Sequence, residues 1–112
     1  MRRYRLSKSA ENDLSEIWNY TKQTWGEIQA ERYLNKLEAR FLDLAAERSK
    51  GRPRIDIDLE YLCYHEGKHL IFYQPYQGGI AVARVLHERM DIAGQIEDDP
   101  VIVHKPRAKQ GY

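Results

Sequence analysis

The stretch IAVARVLH, residues 80–87, decides the fold because its apolar side chains fall on both faces of a strand. A strand with this pattern has to be covered on both sides. The stretch therefore predicts the central strand of a sheet. Ionisable side chains crowd the residues that follow, HERMD (87–91), so this strand end is catalytic, binds a partner, or is simply solvated.

Two further strands precede this one, and in them the apolar period of the chain is two. EYLCYHE (60–66) and KHLIFYQ (68–74) alternate, and Glu66–Gly67 predicts a tight turn between them. PYQGG (75–79) predicts the next turn. Together with residues 80–87, these segments predict an antiparallel meander.

The N-terminal half predicts one short strand and two amphipathic helices. RRYRLS (2–7) alternates as a strand does, and Ser7 is a suitable N-cap for a first helix. The apolar face of that helix consists of Ala10, Leu14, Ile17, Trp18, Thr21 and Trp25. Gly26 predicts its end. The second helix has the face Ala30, Tyr33, Leu34, Leu37, Phe41 and Leu44. This spacing favours core packing for the Trp and Tyr residues, and SKGRPR (49–54) is predicted as a loop.

Strand, helix, helix, three strands and a short helix near the C-terminus predict an α+β fold. We expect an N-terminal strand and an αα-hairpin packed on a mostly antiparallel sheet of three to four strands. A length of 112 residues allows one domain, which we place at residues 1–97. Residues 98–112 are predicted to be a C-terminal extension that is flexible or ordered by a partner.

The charge is unevenly distributed although the chain as a whole carries only +1. Residues 1–54 contain 12 basic and 8 acidic side chains, and residues 55–99 contain 3 and 9. A protein that grips phosphate backbones usually has a basic surplus, so we expect no direct sequence-specific binding of nucleic acid. The single cysteine, Cys63, and the missing apolar leader or membrane span favour a cytoplasmic protein.

Two kinds of chemistry remain open for the last strands. His65, His69 and His87 would be metal ligands if they shared a face, but their spacing favours a polar sheet face, and we expect no metal or cofactor. Acid–base cleavage of RNA is the other option, because His87, Arg84, Tyr73 and Arg89 are of suitable type. Residue type alone is weak evidence for it.

The succession of segments resembles the ParE branch of the RelE/ParE toxin family. It begins with YRLSKSAENDLSEIWNYTKQTWGEIQAERYLNKLEARFLDLA, continues with GRPR and GKHLIFYQ, and closes with IAVARVLHERMD. The resemblance runs from about Tyr4 to about Ile96. It implies a helical hairpin on an antiparallel sheet, and the toxin half of a bacterial type II toxin–antitoxin pair.

The same resemblance implies a target and a partner. Toxins of the ParE branch inhibit DNA gyrase and arrest growth until a ParD-like antitoxin neutralises them in a hetero-oligomer. The RelE branch instead cleaves messenger RNA on the ribosome and is usually rich in Lys and Arg around its last strands. The acidic surplus in residues 55–99 departs from that pattern, which favours a non-enzymatic toxin. An RNA nuclease, and a degenerate toxin that only binds its antitoxin, are the alternatives.

The strand end is accordingly predicted to bind a partner and to stabilise the fold. Arg84 or Arg89 would pair with Glu88 or Asp91, or with a carboxylate of the antitoxin. The predicted partner-binding residues are Arg52, Arg54, Tyr73, Arg84, His87, Arg89 and Met90.

Overall fold

The computed structural model describes residues 3–53, 61–90 and 92, which form two helices and five strands. In chain order these are β1 (Tyr4–Leu6), α1 (Lys8–Trp25), α2 (Glu27–Ala45), β2 (Arg52–Pro53), β3 (Leu62–Glu66), β4 (His69–Tyr76) and β5 (Gly79–His87). Both helices pack on the same face of the sheet, which confirms the predicted α+β fold.

The sheet of the described residues has the strand order β1-β5-β4-β3-β2. β1 runs parallel to β5, and the other neighbouring pairs are antiparallel. The strand count exceeds the expected three to four because Arg52 and Pro53, predicted as loop, pair with Cys63 and Leu62. Two residues are too few to show the alternation by which a strand is recognised.

β5 is an interior strand, as its apolar character predicts, although β4 is the middle strand of the five. Its side chains enter two separate cores. Val82 and Val85 contribute to the core between the sheet and the helices, where Leu37 and Phe41 of α2 are fully buried. Ala83 and Leu86 contribute to a second core on the opposite face, which also contains Ile92.

The helical hairpin begins and turns at the residues that the sequence predicts. Ser7 caps α1, since its Oγ accepts a hydrogen bond from the Ala10 amide at 2.9 Å. The same Oγ donates to the carbonyl of Ala83 at 2.7 Å and so ties the cap to β5. Gly26 separates the helices at a φ of 97°, in the region that favours glycine, and α2 starts at the next residue.

One prediction for α1 is wrong. Trp25 was assigned to the core, yet it is 70% exposed, because Thr21 is the last buried residue of the helix and the final turn extends past the sheet. Asp13 of the same helix is buried, although Asp side chains are mostly exposed in folded proteins.

The described residues contain no helix that is long and apolar enough to cross a membrane. Residues 88–90 form a turn and a bend after β5. The remainder of the predicted short helix, apart from Ile92, and the extension at 98–112 lie outside the described residues.

Candidate functional site

Arg84 is held inside the protein by a β-bulge. Phe72 pairs with Arg84 and Tyr73 pairs with Val82, so Ala83 is the extra residue on β5. The bulge brings Arg84 toward α1, where its Nε lies 2.7 Å from Oδ2 of Asp13 and its Nη2 lies 2.8 Å from Oδ1. The side chains of Arg84 and Asp13 are only 11% and 9% exposed.

Asp13 also accepts a hydrogen bond from the backbone amide of Val85 at 2.9 Å. One carboxylate therefore accepts two hydrogen bonds from the guanidinium and one from an amide next to the bulge. This geometry makes the pair strongly directional, because a bidentate Arg–carboxylate contact fixes orientation as well as charge. The Asp13–Arg84 pair is thus a structural link between α1 and β5.

Tyr73 is a second candidate that the fold buries. It is 3% exposed, and its hydroxyl accepts a hydrogen bond from the Gly51 amide at 2.6 Å. Burial raises the pKa of Tyr73, although the hydrogen bond from Gly51 opposes this. A Cβ on Gly51 would lie 2.8 Å from the Cys63 carbonyl oxygen, so only glycine allows this close approach. Tyr73 anchors the segment before β2.

The three histidines do not share a face. His69 pairs directly with Glu66 and His87, whereas His65 pairs with Leu70. The His65 ring therefore lies on the opposite face of the sheet, with Nε2 2.8 Å from Oε1 of Glu88. Among the described residues no group of three or more His, Cys, Asp or Glu side chains is placed to hold a metal ion.

His69 and His87 contact each other edge to face, with ring centroids 5.3 Å apart and an interplanar angle of 82°. Burial, followed by the neighbouring His87, lowers the pKa of His69 to about 4. His69 is therefore neutral near pH 7. Its Nδ1 lies 2.6 Å from the hydroxyl of Tyr33, which also accepts a hydrogen bond from the Lys68 amide.

Both rings have a hydrogen-bond partner at Nδ1. Burial raises the pKa of Tyr33, so its hydroxyl stays protonated, and it lies 2.6 Å from Nδ1 of His69 and 3.4 Å from the Glu66 carbonyl oxygen. The Arg89 amide donates to Nδ1 of His87 at 3.1 Å. The His87 ring in this arrangement is an acceptor at Nδ1 and a donor at Nε2. Tyr33 also explains Gly67, because a Cβ there would lie 2.8 Å from the Tyr33 hydroxyl.

Above the two rings lies an open cavity of about 600 Å³, which we call the hairpin groove. It separates the tip of the α1–α2 hairpin from the β3–β4 turn and the end of β5. The described residues that line it are Tyr20, Thr21, Trp25, Gln29, Tyr33, Lys68, His69, His87 and Arg89. Tyr20 and Trp25 are 67% and 70% exposed, which is unusual for large aromatic side chains and marks a candidate interaction surface.

Comparison with known proteins identifies the family. Residues 4–92 match the family model described as ParE toxin of the type II toxin–antitoxin system parDE. The chain belongs to the ParE toxin family. Two relatives show the extent of the similarity. The chain is 42% identical to Toxin ParE1 of Mycobacterium tuberculosis over 91 residues, covering 80% of this chain and 93% of the relative. It is 34% identical to Toxin ParE of Escherichia coli over 99 residues, covering 88% and 96%.

A solved structure supports the fold independently. The structure titled "Chromosomal ParDE TA system from P. aeruginosa" superposes with a TM-score of 0.62 and covers 78% of this chain and 96% of that one. The sequence identity is 17%, so this likeness concerns the fold alone. The resemblance inferred from the sequence, a ParE-type toxin with a helical hairpin on a sheet, is confirmed.

The ParE fold distributes the predicted site residues over several places. His87 and Arg89 line the hairpin groove, and Met90, 40% exposed, follows them. Arg52 is exposed on β2, and Arg54 and Asp91 lie outside the described residues. The fold buries Tyr73, and Arg84 forms an ion pair with Asp13, which the sequence did not predict. The partner-binding roles of both residues stay predictions.

Sequence reasoning missed seven of the nine described residues that line the groove in this ParE chain, and four of the seven matter most for its chemistry. Tyr33 and Trp25 were assigned to the core, and Lys68 and His69 were not chosen as site residues. The signal available for His69 was the meander itself, because adjacent antiparallel strands bring residues into register across them. Trp25 carried a weaker signal: it is the last residue before the glycine that ends α1.

Proposed function

We propose that this ParE toxin inhibits DNA gyrase and arrests growth unless a ParD-like antitoxin neutralises it. The family match over residues 4–92 supports the toxin role, and the gyrase target follows from the ParE branch to which the sequence is similar. A toxin of this type acts by binding its target, so its function needs an interaction surface and no acid–base cluster.

The burial of Arg84 and Tyr73 is the observation that favours a binding toxin over a nuclease. A general base must lie within hydrogen-bond reach of the proton it removes, and a phosphate-binding cation must reach solvent. The Arg84 guanidinium is bound by Asp13, and the Tyr73 hydroxyl is bound by Gly51. Two of the four residues proposed for RNA cleavage therefore have structural partners.

The direct test is a supercoiling and DNA-cleavage assay with the toxin purified free of antitoxin. Relaxed plasmid, gyrase and ATP are incubated with increasing toxin. We expect supercoiling to be lost and cleaved DNA to accumulate. Adding the antitoxin back should restore supercoiling, which controls for inhibition by impurities. Unchanged supercoiling at a large molar excess of folded toxin would contradict the proposal.

Messenger RNA cleavage on the ribosome is the second candidate, favoured by one observation. His87 and Arg89 line the same groove as His69 and Lys68, so imidazoles and cations do lie together. Primer extension on ribosome-bound message tests this candidate. Cleavage that is lost in His87→Ala, but kept in a control variant of the exposed residue Arg48, would replace gyrase inhibition by RNA cleavage. Folded toxin that arrests neither process and does not slow growth would indicate a degenerate toxin.

The proposed partner surface consists of the exposed members of the predicted set. Arg89 and Met90 continue from the groove edge, so we propose that the antitoxin or the target contacts the chain there. Arg89→Ala should lower the binding affinity about tenfold, because the variant loses a charge that speeds the encounter with the partner and contributes to specificity. Arg48→Ala is the matched control. Equal binding by both variants in a calorimetric titration with antitoxin and with gyrase would remove Arg89 from the surface.

A further inference from the structure

The hairpin groove is rich in hydrogen-bond donors that suit an anion. Lys68 and Arg89 bring two permanent positive charges to it. His87 adds a donor at Nε2, because its Nδ1 already accepts the Arg89 amide. The described residues that line the groove include no carboxylate. The groove therefore complements a ligand whose polar atoms are mainly acceptors.

The groove also presents flat aromatic faces to solvent. Trp25 and Tyr20 are about two-thirds exposed although they are large apolar side chains. They are one and a half turns apart on α1, and the polar side chains of Thr21 and Gln29 lie among them. The exposed rings therefore lie in the same groove as the cations Lys68 and Arg89. Exposed aromatic faces with neighbouring cations are the combination that binds stacked bases and their phosphates.

Two acceptor-rich ligands suit the charges of the groove, an acidic protein segment and a nucleic-acid strand, and the size of the groove favours the strand. A stable protein interface buries about 800 Å² on each partner and centres on contiguous apolar anchors. A cavity of about 600 Å³ instead falls in the range that binds a small ligand. It is better matched to one or two nucleotides of a strand than to a long protein segment.

We propose that the hairpin groove binds a short single-stranded nucleic-acid segment. A base stacks on Trp25, and Lys68 and Arg89 bind the adjacent phosphates. The contact is independent of sequence, because every base has an aromatic face and the phosphates carry no sequence information. This inference goes beyond gyrase inhibition, since it concerns the toxin alone.

The test is fluorescence anisotropy of a labelled oligothymidylate titrated with the full-length toxin. Trp25→Ala should weaken binding about tenfold, because base–aromatic stacking contributes about 1–3 kcal/mol per base. Ile28→Ala is the matched control, since Ile28 lies in the first turn of α2, is 72% exposed, and is not among the described lining residues. An oligonucleotide with the same phosphates but abasic sugars should bind wild type and Trp25→Ala equally weakly.

The salt dependence tests the phosphate contacts separately. Two cation–phosphate contacts predict a slope of about −1.4 when log K is plotted against log salt concentration for a single strand. Lys68→Gln should halve that slope, and Lys50→Gln, which changes an exposed lysine outside the lining, should leave it unchanged. Comparing the affinities for oligouridylate and oligothymidylate tells whether the groove prefers RNA or DNA. Tight binding of either supports the inference.

Three results would overturn the inference. The first is the lack of measurable oligonucleotide binding, and the second is equal oligonucleotide affinity of Trp25→Ala and wild type. The third is displacement of the bound oligonucleotide by polyglutamate together with weaker oligonucleotide binding by Ile28→Ala. The third would assign the groove to an acidic protein segment. The outcome is separable from the proposed function, because gyrase inhibition without oligonucleotide binding rejects only this inference. Oligonucleotide binding without gyrase inhibition rejects only the gyrase target.

Discussion

Arg84 and His87 lie three residues apart on β5, in surroundings that differ in every respect that matters for function. The bulge at Ala83 brings Arg84 under α1, where a buried carboxylate binds it at two atoms. His87 lies at the end of the strand, beyond the last buried residue of α1, so the hairpin groove above it stays open. Position along the strand, relative to where the helix stops covering it, separates a structural ionisable residue from one that can meet a ligand.

The strongest test of this comparison removes the buried charge partner. Asp13→Ala should lower the free energy of unfolding by about 3–5 kcal/mol, because it removes the carboxylate that binds the buried Arg84 guanidinium at two atoms. Urea denaturation followed by circular dichroism measures the loss. Glu16→Ala, which removes an exposed carboxylate from the same helix, should change stability by less than about 0.5 kcal/mol.

A double variant sharpens the result. Asp13→Leu combined with Arg84→Met removes both charges and keeps apolar volume, so it should be clearly more stable than Asp13→Ala. A loss in Asp13→Ala no larger than that in Glu16→Ala would mean that the pair is solvated. Arg84 would then again be a candidate for binding a phosphate or a partner, as the RNA-cleavage alternative requires.

The sequence predicts the elements of this fold better than the contacts between them. Ser7, Gly26 and the turn after Glu66 carry local signals, since a cap, a positive φ and a tight turn each depend on few neighbouring residues. The link between Asp13 and Arg84 spans 71 residues and depends on a bulge for which the sequence carries no marker. The parallel pairing of β1 with β5 is equally non-local.

The candidate site was predictable only in part for the same reason. His87 and Arg89 follow an apolar strand and stand out as ionisable residues at its end. Tyr33 shares its helix face with core residues, and only the tertiary structure shows that its hydroxyl reaches the β3–β4 turn. Trp25 fits the apolar period of α1 but lies one turn beyond the sheet, and a period does not reveal where the opposing surface ends.

Tyr73, the second buried candidate, is expected to have an intermediate effect on stability. Tyr73→Phe keeps the ring in the core but removes the acceptor of the Gly51 amide, so it should cost about 1–3 kcal/mol in the free energy of unfolding. Tyr76→Phe is the control, because Tyr76 lies on the same strand and is 37% exposed. The comparison is made by thermal unfolding, with growth arrest scored for both variants.

The two readouts separate structure from chemistry at Tyr73. A structural role predicts lower stability with growth arrest retained at temperatures where the variant is folded. Loss of growth arrest without loss of stability would mean that the Tyr73 hydroxyl contacts the target. Tyr73 would then belong with the functional residues of the groove and not with the buried structural residues.

The smallest expected effect is the pH dependence of stability that His69, neutral near pH 7, contributes. The unfolded chain takes up a proton at the ordinary pKa of 6.5, whereas the folded protein does so only near 4. The unfolded state therefore binds more protons between these values, and the free energy of unfolding falls as pH is lowered from about 6.5 toward 4. Because the ring is only partly buried, we expect a loss of about 1 kcal/mol across this window after discounting for solvent screening.

His69→Asn isolates this contribution, because it removes the titrating ring and can still accept a hydrogen bond from Tyr33. Subtracting its free energy of unfolding from that of wild type at each pH cancels the contribution of the carboxylates that titrate in the same range. The difference should depend on pH between about 4 and 6.5. A flat difference would mean that His69 is as solvated as a surface histidine.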